Sequence, residues 1–166
     1  MIQGSRRLLL VSMLATLCSA QAQNLPAAFS LTIGTRNPTV RLGSPIQVTI
    51  TLENVSSGEL GLNVVSPAER QFNVIVIDTK GVPLPLTEFG HAVRGDSGAG
   101  IGGNGGVGTI RPGWGMKPGE KRKVEILVNN SYEFKTPGQY DIRVEKTDPK
   151  SKAVVRSNTL TVTVTP

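Results

Sequence analysis

The amino-acid sequence predicts an all-β domain, a two-sheet antiparallel sandwich of about seven strands that carries a long glycine-rich loop. Three observations predict it. Apolar and polar residues alternate at period two in run after run, the spacing that places every apolar side chain of a strand on one face. Clusters of Gly, Pro, Asn and Asp separate those runs at short intervals, as in two-sheet folds. Helical periodicity is nearly absent beyond residue 22. A single open sheet would leave half of this alternation without a partner face, so a second sheet is expected.

The chain opens on a different pattern. Met1 to Arg7 hold two arginines and no acid, Leu8 to Cys18 form an apolar run, and Ala20-Gln21-Ala22 offers a small-x-small cleavage site. Residues 1–22 therefore read as a signal peptide, too short to span a bilayer, and the protein is expected to be exported, to a periplasm or outside the cell. Ser5-Arg6-Arg7-Leu8-Leu9-Leu10 also resembles a twin-arginine export signal. An ordinary basic leader accounts for the same two arginines. Leu17 before Cys18 does not suit lipid attachment, which requires a small residue there. Cleavage after Ala22 would leave a single domain, 23–166, without the chain's one cysteine. Packing and sheet hydrogen bonds then hold the fold with no disulfide.

Within that domain the strands follow in order. Phe29, Leu31 and Ile33 mark the first. Ile46, Val48, Ile50 and Leu52 alternate with Gln47, Thr49, Thr51 and Glu53. Phe72 to Ile77 is apolar at nearly every position, which predicts a central strand. Val124, Ile126 and Val128, then Tyr140, Ile142 and Val144, then Leu160, Val162 and Val164 complete the alternating series. Turn clusters at Asn54 to Gly58, Asp78 to Gly81, Lys117 to Gly119, Thr136 to Gly138 and Asp148 to Ser151 punctuate it.

Gly138-Gln139-Tyr140-Asp141-Ile142 resembles the tyrosine corner of immunoglobulin-like sandwiches, in which a tyrosine near the start of a strand bonds back to upstream backbone. A longer ordered series surrounds it: Ile50 to Asn54, Glu59-Leu60, Phe72-Asn73-Val74, Asp78-Thr79-Lys80-Gly81, Lys117-Pro118-Gly119-Glu120 and Pro137-Gly138-Gln139-Tyr140. That series is similar to the BsuPI family of proteinase-inhibitor domains and, more loosely, to bacterial secreted immunoglobulin-like modules, over residues 46–144. The resemblance implies an immunoglobulin-like fold, with proteinase inhibition as one expectation for activity. The glycine-rich insertion and the export leader depart from the family, and no inhibitory residue carries over.

Composition excludes several function classes. The formal charge of +6 falls to +4 once Arg6 and Arg7 leave, and the basic stretch Lys117 to Lys123 is broken by Pro118, Gly119 and Glu120 without aromatics for base stacking. No nucleic acid is expected as a partner. Lys146, Lys150 and Lys152 read as a solvated basic tip. His91 is the only histidine and the exported chain has no cysteine, so neither a histidine-based triad nor a metal site is predicted. Glu53, Glu125, Asp141 and Glu145 fall on outward strand faces, away from any paired-carboxylate geometry. No enzyme and no cofactor are expected.

One segment stands apart. Thr87 to Trp114 is longer than a compact sandwich needs, and Gly98 to Gly108 holds seven glycines in eleven residues. Its two GxGxxG matches lack the following helix that a dinucleotide site requires. Arg94-Gly95-Asp96-Ser97 spells the tripeptide that integrins recognise. His91, Arg94, Asp96, Arg111 and Trp114 are the candidate partner-binding residues of this loop. Trp114, the one tryptophan, either plugs the open end of the sandwich or anchors a partner. These readings converge on an exported binding module for a protein partner. A proteinase inhibitor is the alternative, and a carbohydrate-binding accessory module would need coplanar exposed aromatics, for which Trp114 is the single candidate.

Overall fold

The structure is a computed structural model that describes residues 26–95 and 110–166. The leader and the glycine run lie outside the described residues. Ten strands appear among them: β1 (Phe29–Gly34), β2 (Thr39–Arg41), β3 (Gln47–Asn54), β4 (Leu60–Val65), β5 (Asn73–Asp78), β6 (Ile110–Met116), β7 (Lys121–Leu127), β8 (Gly138–Thr147), β9 (Val154–Arg156) and β10 (Leu160–Thr165). Two short helices, α1 (Glu88–Arg94) and α2 (Val128–Ser131), and a 3-10 turn at Ala68–Gln71 complete the description.

The strands form a β-sandwich of the immunoglobulin-like class. One sheet runs β1-β3-β7, the other β2-β10-β8-β5 with β9 added to β8, and β4 and β6 make a separate two-stranded ribbon. All pairings are antiparallel except β2 on β10, which is parallel. Alternation decides what lies between the sheets. Val48, Ile50 and Leu52 of β3 and Leu31 and Ile33 of β1 face Val74, Val76, Ile142, Val144, Val162 and Val164 of the opposite sheet, and all are buried. Fully burying a side chain of this size contributes about 1.5–3 kcal/mol. The intervening Thr49, Thr51, Glu125 and Arg143 stay on the outer faces.

Tyr140 closes the corner that its sequence context predicts. Its hydroxyl donates to the Thr136 carbonyl at 2.6 Å, four residues upstream, while the ring meets Phe134 edge-on at 4.9 Å between centroids.

Three expectations change. β5 is an edge strand and not a central one. Its outward pair, Ile75 and Ile77, is half-buried, so the run is apolar on both faces without a second neighbouring strand. The stretch from Thr87 to Trp114 is not all loop, because α1 occupies its start and β6 its end. Lys146 does not belong to a solvated tip: it continues the inward stripe of Tyr140, Ile142 and Val144, donates to the Gln71 carbonyl at 2.9 Å and sits 5.2 Å from the Phe72 ring centroid. Burial holds its ammonium below the ordinary lysine range.

Candidate functional site

The open side of the sandwich lies between the free edges of β5 and β7, and the chain treats its two flanks differently. On the β5 flank, Val144 donates its N–H to the Ser157 hydroxyl and accepts the Ser157 N–H, both away from β5, so its register partner Val74 turns its carbonyl outward. The chain that follows β5 then returns along this edge. Asp78 N–H donates to Val82 O at 2.9 Å and Leu84 N–H to Val76 O at 3.0 Å. The Val74 carbonyl receives the Tyr132 hydroxyl and one guanidinium nitrogen of Arg94, the latter at 2.9 Å and also 2.6 Å from the Tyr132 oxygen. Burial pushes the Tyr132 phenol up, with Arg94 opposing the shift. Every outward β5 carbonyl named here has found a donor, which removes the usual invitation of an exposed strand edge.

Helix α1 supplies the last part of that seal. Thr87 accepts from Gly90 N–H at 3.0 Å as its N-cap, and Gly95, at φ 82°, ends it in the left-handed region. Gly90 rests on α2 so closely that a Cβ there would lie 2.1 Å from the Ser131 carbonyl oxygen. Only glycine permits that approach.

On the other flank the ribbon leaves a groove. Its volume is about 310 Å³, and Leu62, Val65, Ala68 and Val124 form its apolar walls above Leu52 and Met116 of the core. Arg122 and Lys123 supply the charges of its rim, and Asn63, Ser66 and Gln71 its neutral polar groups. Arg122 is bridged to Glu120 at 2.6 Å, whereas Lys123 is exposed. Asn54, fully buried, anchors the ribbon by donating to Met116 O and Gly58 O, each at 2.8 Å. Gly113 makes the ribbon's bulge possible, because a Cβ there would lie 1.3 Å from Leu62 O.

The predicted site residues separate across these two flanks. His91 is exposed on α1. Arg94 is committed to Val74 and Tyr132 and serves as a clamp within the fold. Asp96 lies outside the described residues, so only Arg94 and Gly95 of the tripeptide are described. Arg111 and Trp114 lie on β6 at register positions opposite Val64 and Leu62. The groove residues Leu62, Val65 and Val124 were not among the candidates. The alternation at Leu60, Leu62 and Val64 was the available signal, weakened by Gly61 and Asn63.

A second, polar cleft of about 470 Å³ opens where the chain crosses between sheets, with Arg36, Arg41, Gln47 and Glu125 among its lining residues. Among the described residues there is no cluster of three or more His, Cys, Asp or Glu side chains placed to hold a metal ion, and no helix is long and apolar enough to cross a membrane.

No protein-family model and no curated protein matches the chain. Solved structures similar to it include a β-glucosidase from Listeria innocua in complex with glucose, at 15% identity and a TM-score of 0.43, covering 84% of this chain and 16% of that one. A CARDB domain from Pyrococcus furiosus in complex with di-metal ions matches at 12% identity and a TM-score of 0.43, over 83% of this chain and 93% of that one. A β-glucosidase from Erythrobacter marinus matches at 12% identity and a TM-score of 0.41, over 84% and 16%. The chain thus spans about one sixth of the β-glucosidases it resembles.

Proposed function

We propose that this chain is an exported, non-enzymatic binding module whose partner is a protein, engaged at the groove between the ribbon and β7. The observation that carries the reading is the contrast of surfaces on one side of the sandwich. The β5 flank spends its polar groups internally, while the ribbon flank presents half-buried Leu62, Val65 and Val124 beside charged Lys123. An apolar centre with a polar rim is the anatomy of a protein-binding patch. The leader at 1–22 supports export, and N-terminal sequencing of the secreted form should begin near Gln23.

Panning a phage-displayed peptide library against the exported protein tests the surface. Binders that are lost on Leu62→Asp support it, and binders indifferent to that change would place recognition elsewhere. The BsuPI-like alternative predicts stoichiometric inhibition in a panel of secreted proteases, where the binding-module reading predicts none.

A further inference from the structure

We infer that the groove selects an extended protein segment in which a large apolar side chain is flanked by carboxylates, an inference that rests on the binding-module reading above. Size, lining and charge each narrow the occupant. At about 310 Å³ the groove is at the lower end of the range for ligand sites, so it takes one or two large side chains while the backbone of an extended segment stays outside it. Its lining includes Leu52 and Met116, core residues exposed by only 4% and 2%, so an entering apolar group meets part of the surface that packs the interior. Its walls, Leu62, Val65, Ala68 and Val124, are half-buried in the free protein, and covering them removes apolar area from water.

Charge selects among the groups that could bring that apolar anchor. Both charged lining residues, Arg122 and Lys123, are cations, and no carboxylate lines the groove among the described residues. Glu120 already offsets Arg122. Lys123 forms no ion pair among the described residues; it is exposed on the outer face of β7 across from Thr51, and the strand that carries it forms one edge of the groove, so a segment leaving the groove over that edge meets its charge. A segment with acids beside its anchor is attracted there, and one with lysines in their place meets like charge. A fatty acid shares this chemistry, but a groove bounded by exposed Asn63 and Lys123 would leave most of an acyl chain in water, unlike sites that bury most of a small ligand.

The test uses protein purified from the exporting cell and three probes: a blocked hexapeptide alternating glutamate with leucine and phenylalanine, its lysine-for-glutamate counterpart, and decanoate. Amide resonances of Leu62, Ala68 and Val124 should shift with the acidic peptide, which should bind at least about tenfold tighter than the basic one. Lys123→Glu should reverse that preference. Equal affinity for the two peptides, shifts centred elsewhere, or binding of decanoate in place of the acidic peptide would overturn the inference. If the acidic peptide fails while library binders still depend on Leu62, the charge selection falls and the binding module stands. If both fail, both fall.

Discussion

The β5 flank and the ribbon flank border the same open side, yet one is closed by directed hydrogen bonds and the other is left as an apolar groove. The difference teaches what each kind of surface costs. Outward carbonyls of an edge strand need donors, and the chain brings Leu84, Arg94 and Tyr132 back to supply them. Along β7 the groove instead presents the apolar side chains Leu62, Val65, Ala68 and Val124, which need no directed partner. The carbonyls of Val74 and Val76 are thus answered one by one, while the apolar wall beside β7 stays open.

The largest expected effect comes from prying the sealed flank open. Gly90→Val would place its Cβ against the Ser131 carbonyl, a backbone atom that cannot rotate away. We expect a loss of about 2–3 kcal/mol, as for overpacked interiors, measured by denaturant unfolding. A loss below about 0.5 kcal/mol would mean that α1 contributes nothing to the seal, and the contrast between the flanks would collapse.

Asp148 sharpens the comparison at a third edge, that of β1. Fully buried, its carboxylate accepts from Ala28 N–H at 2.7 Å and Lys150 N–H at 2.8 Å. Burial alone would raise its pKa, but the backbone donors of Ala28, Lys150 and Ser151, with the Ser151 side chain, outweigh it and hold the carboxyl below its ordinary value. A depressed folded pKa gives stability that is complete above the unfolded value of about 3.9 and lost as pH falls through the folded one. Asp148→Asn should therefore cost about 1.5 kcal/mol at neutral pH. The gap to the unaltered protein should narrow below about pH 4. A gap independent of pH would show that the charge is not what holds the Ala28 amide.

Tyr140→Phe removes the hydroxyl that donates to the Thr136 carbonyl and lies 3.1 Å from the Thr136 hydroxyl, and should cost about 1 kcal/mol. An unchanged melting temperature would argue against the corner. Its place was legible in advance because a tyrosine two residues after a Pro-Gly turn has a local reason to bond backwards. The five alternating strands were legible for a similar reason, since period two is a property of neighbours in the chain. The rest was not local. β2 and β9 have three residues each, too few for alternation to register. α1 announced itself only through Thr87 and Gly95, a cap at each end, while seven residues with Gly90 inside carry no helical period. Arg94 looked like a partner-binding cation because nothing near it in sequence reveals that Tyr132 and Val74 receive it. The groove escaped notice because its walls come from β4, the 3-10 turn and β7, brought together only by the fold.

The smallest stability effect is expected where the groove is open. Lys123→Glu alters an exposed side chain on an edge strand, opposite Thr51 in the register, and should change unfolding free energy by no more than about 0.5 kcal/mol. Its outward charge is nonetheless the feature that distinguishes this flank from the sealed one. Two roles are separable. An edge lysine that merely discourages strand pairing would, when replaced by another charge, leave both stability and peptide preference unchanged. A lysine that reads a partner would leave stability unchanged and invert the preference between acidic and basic peptides. Measuring both quantities on one variant divides the alternatives, because Gly90→Val on the sealed flank should do the reverse, moving stability while leaving the sign of the peptide preference intact.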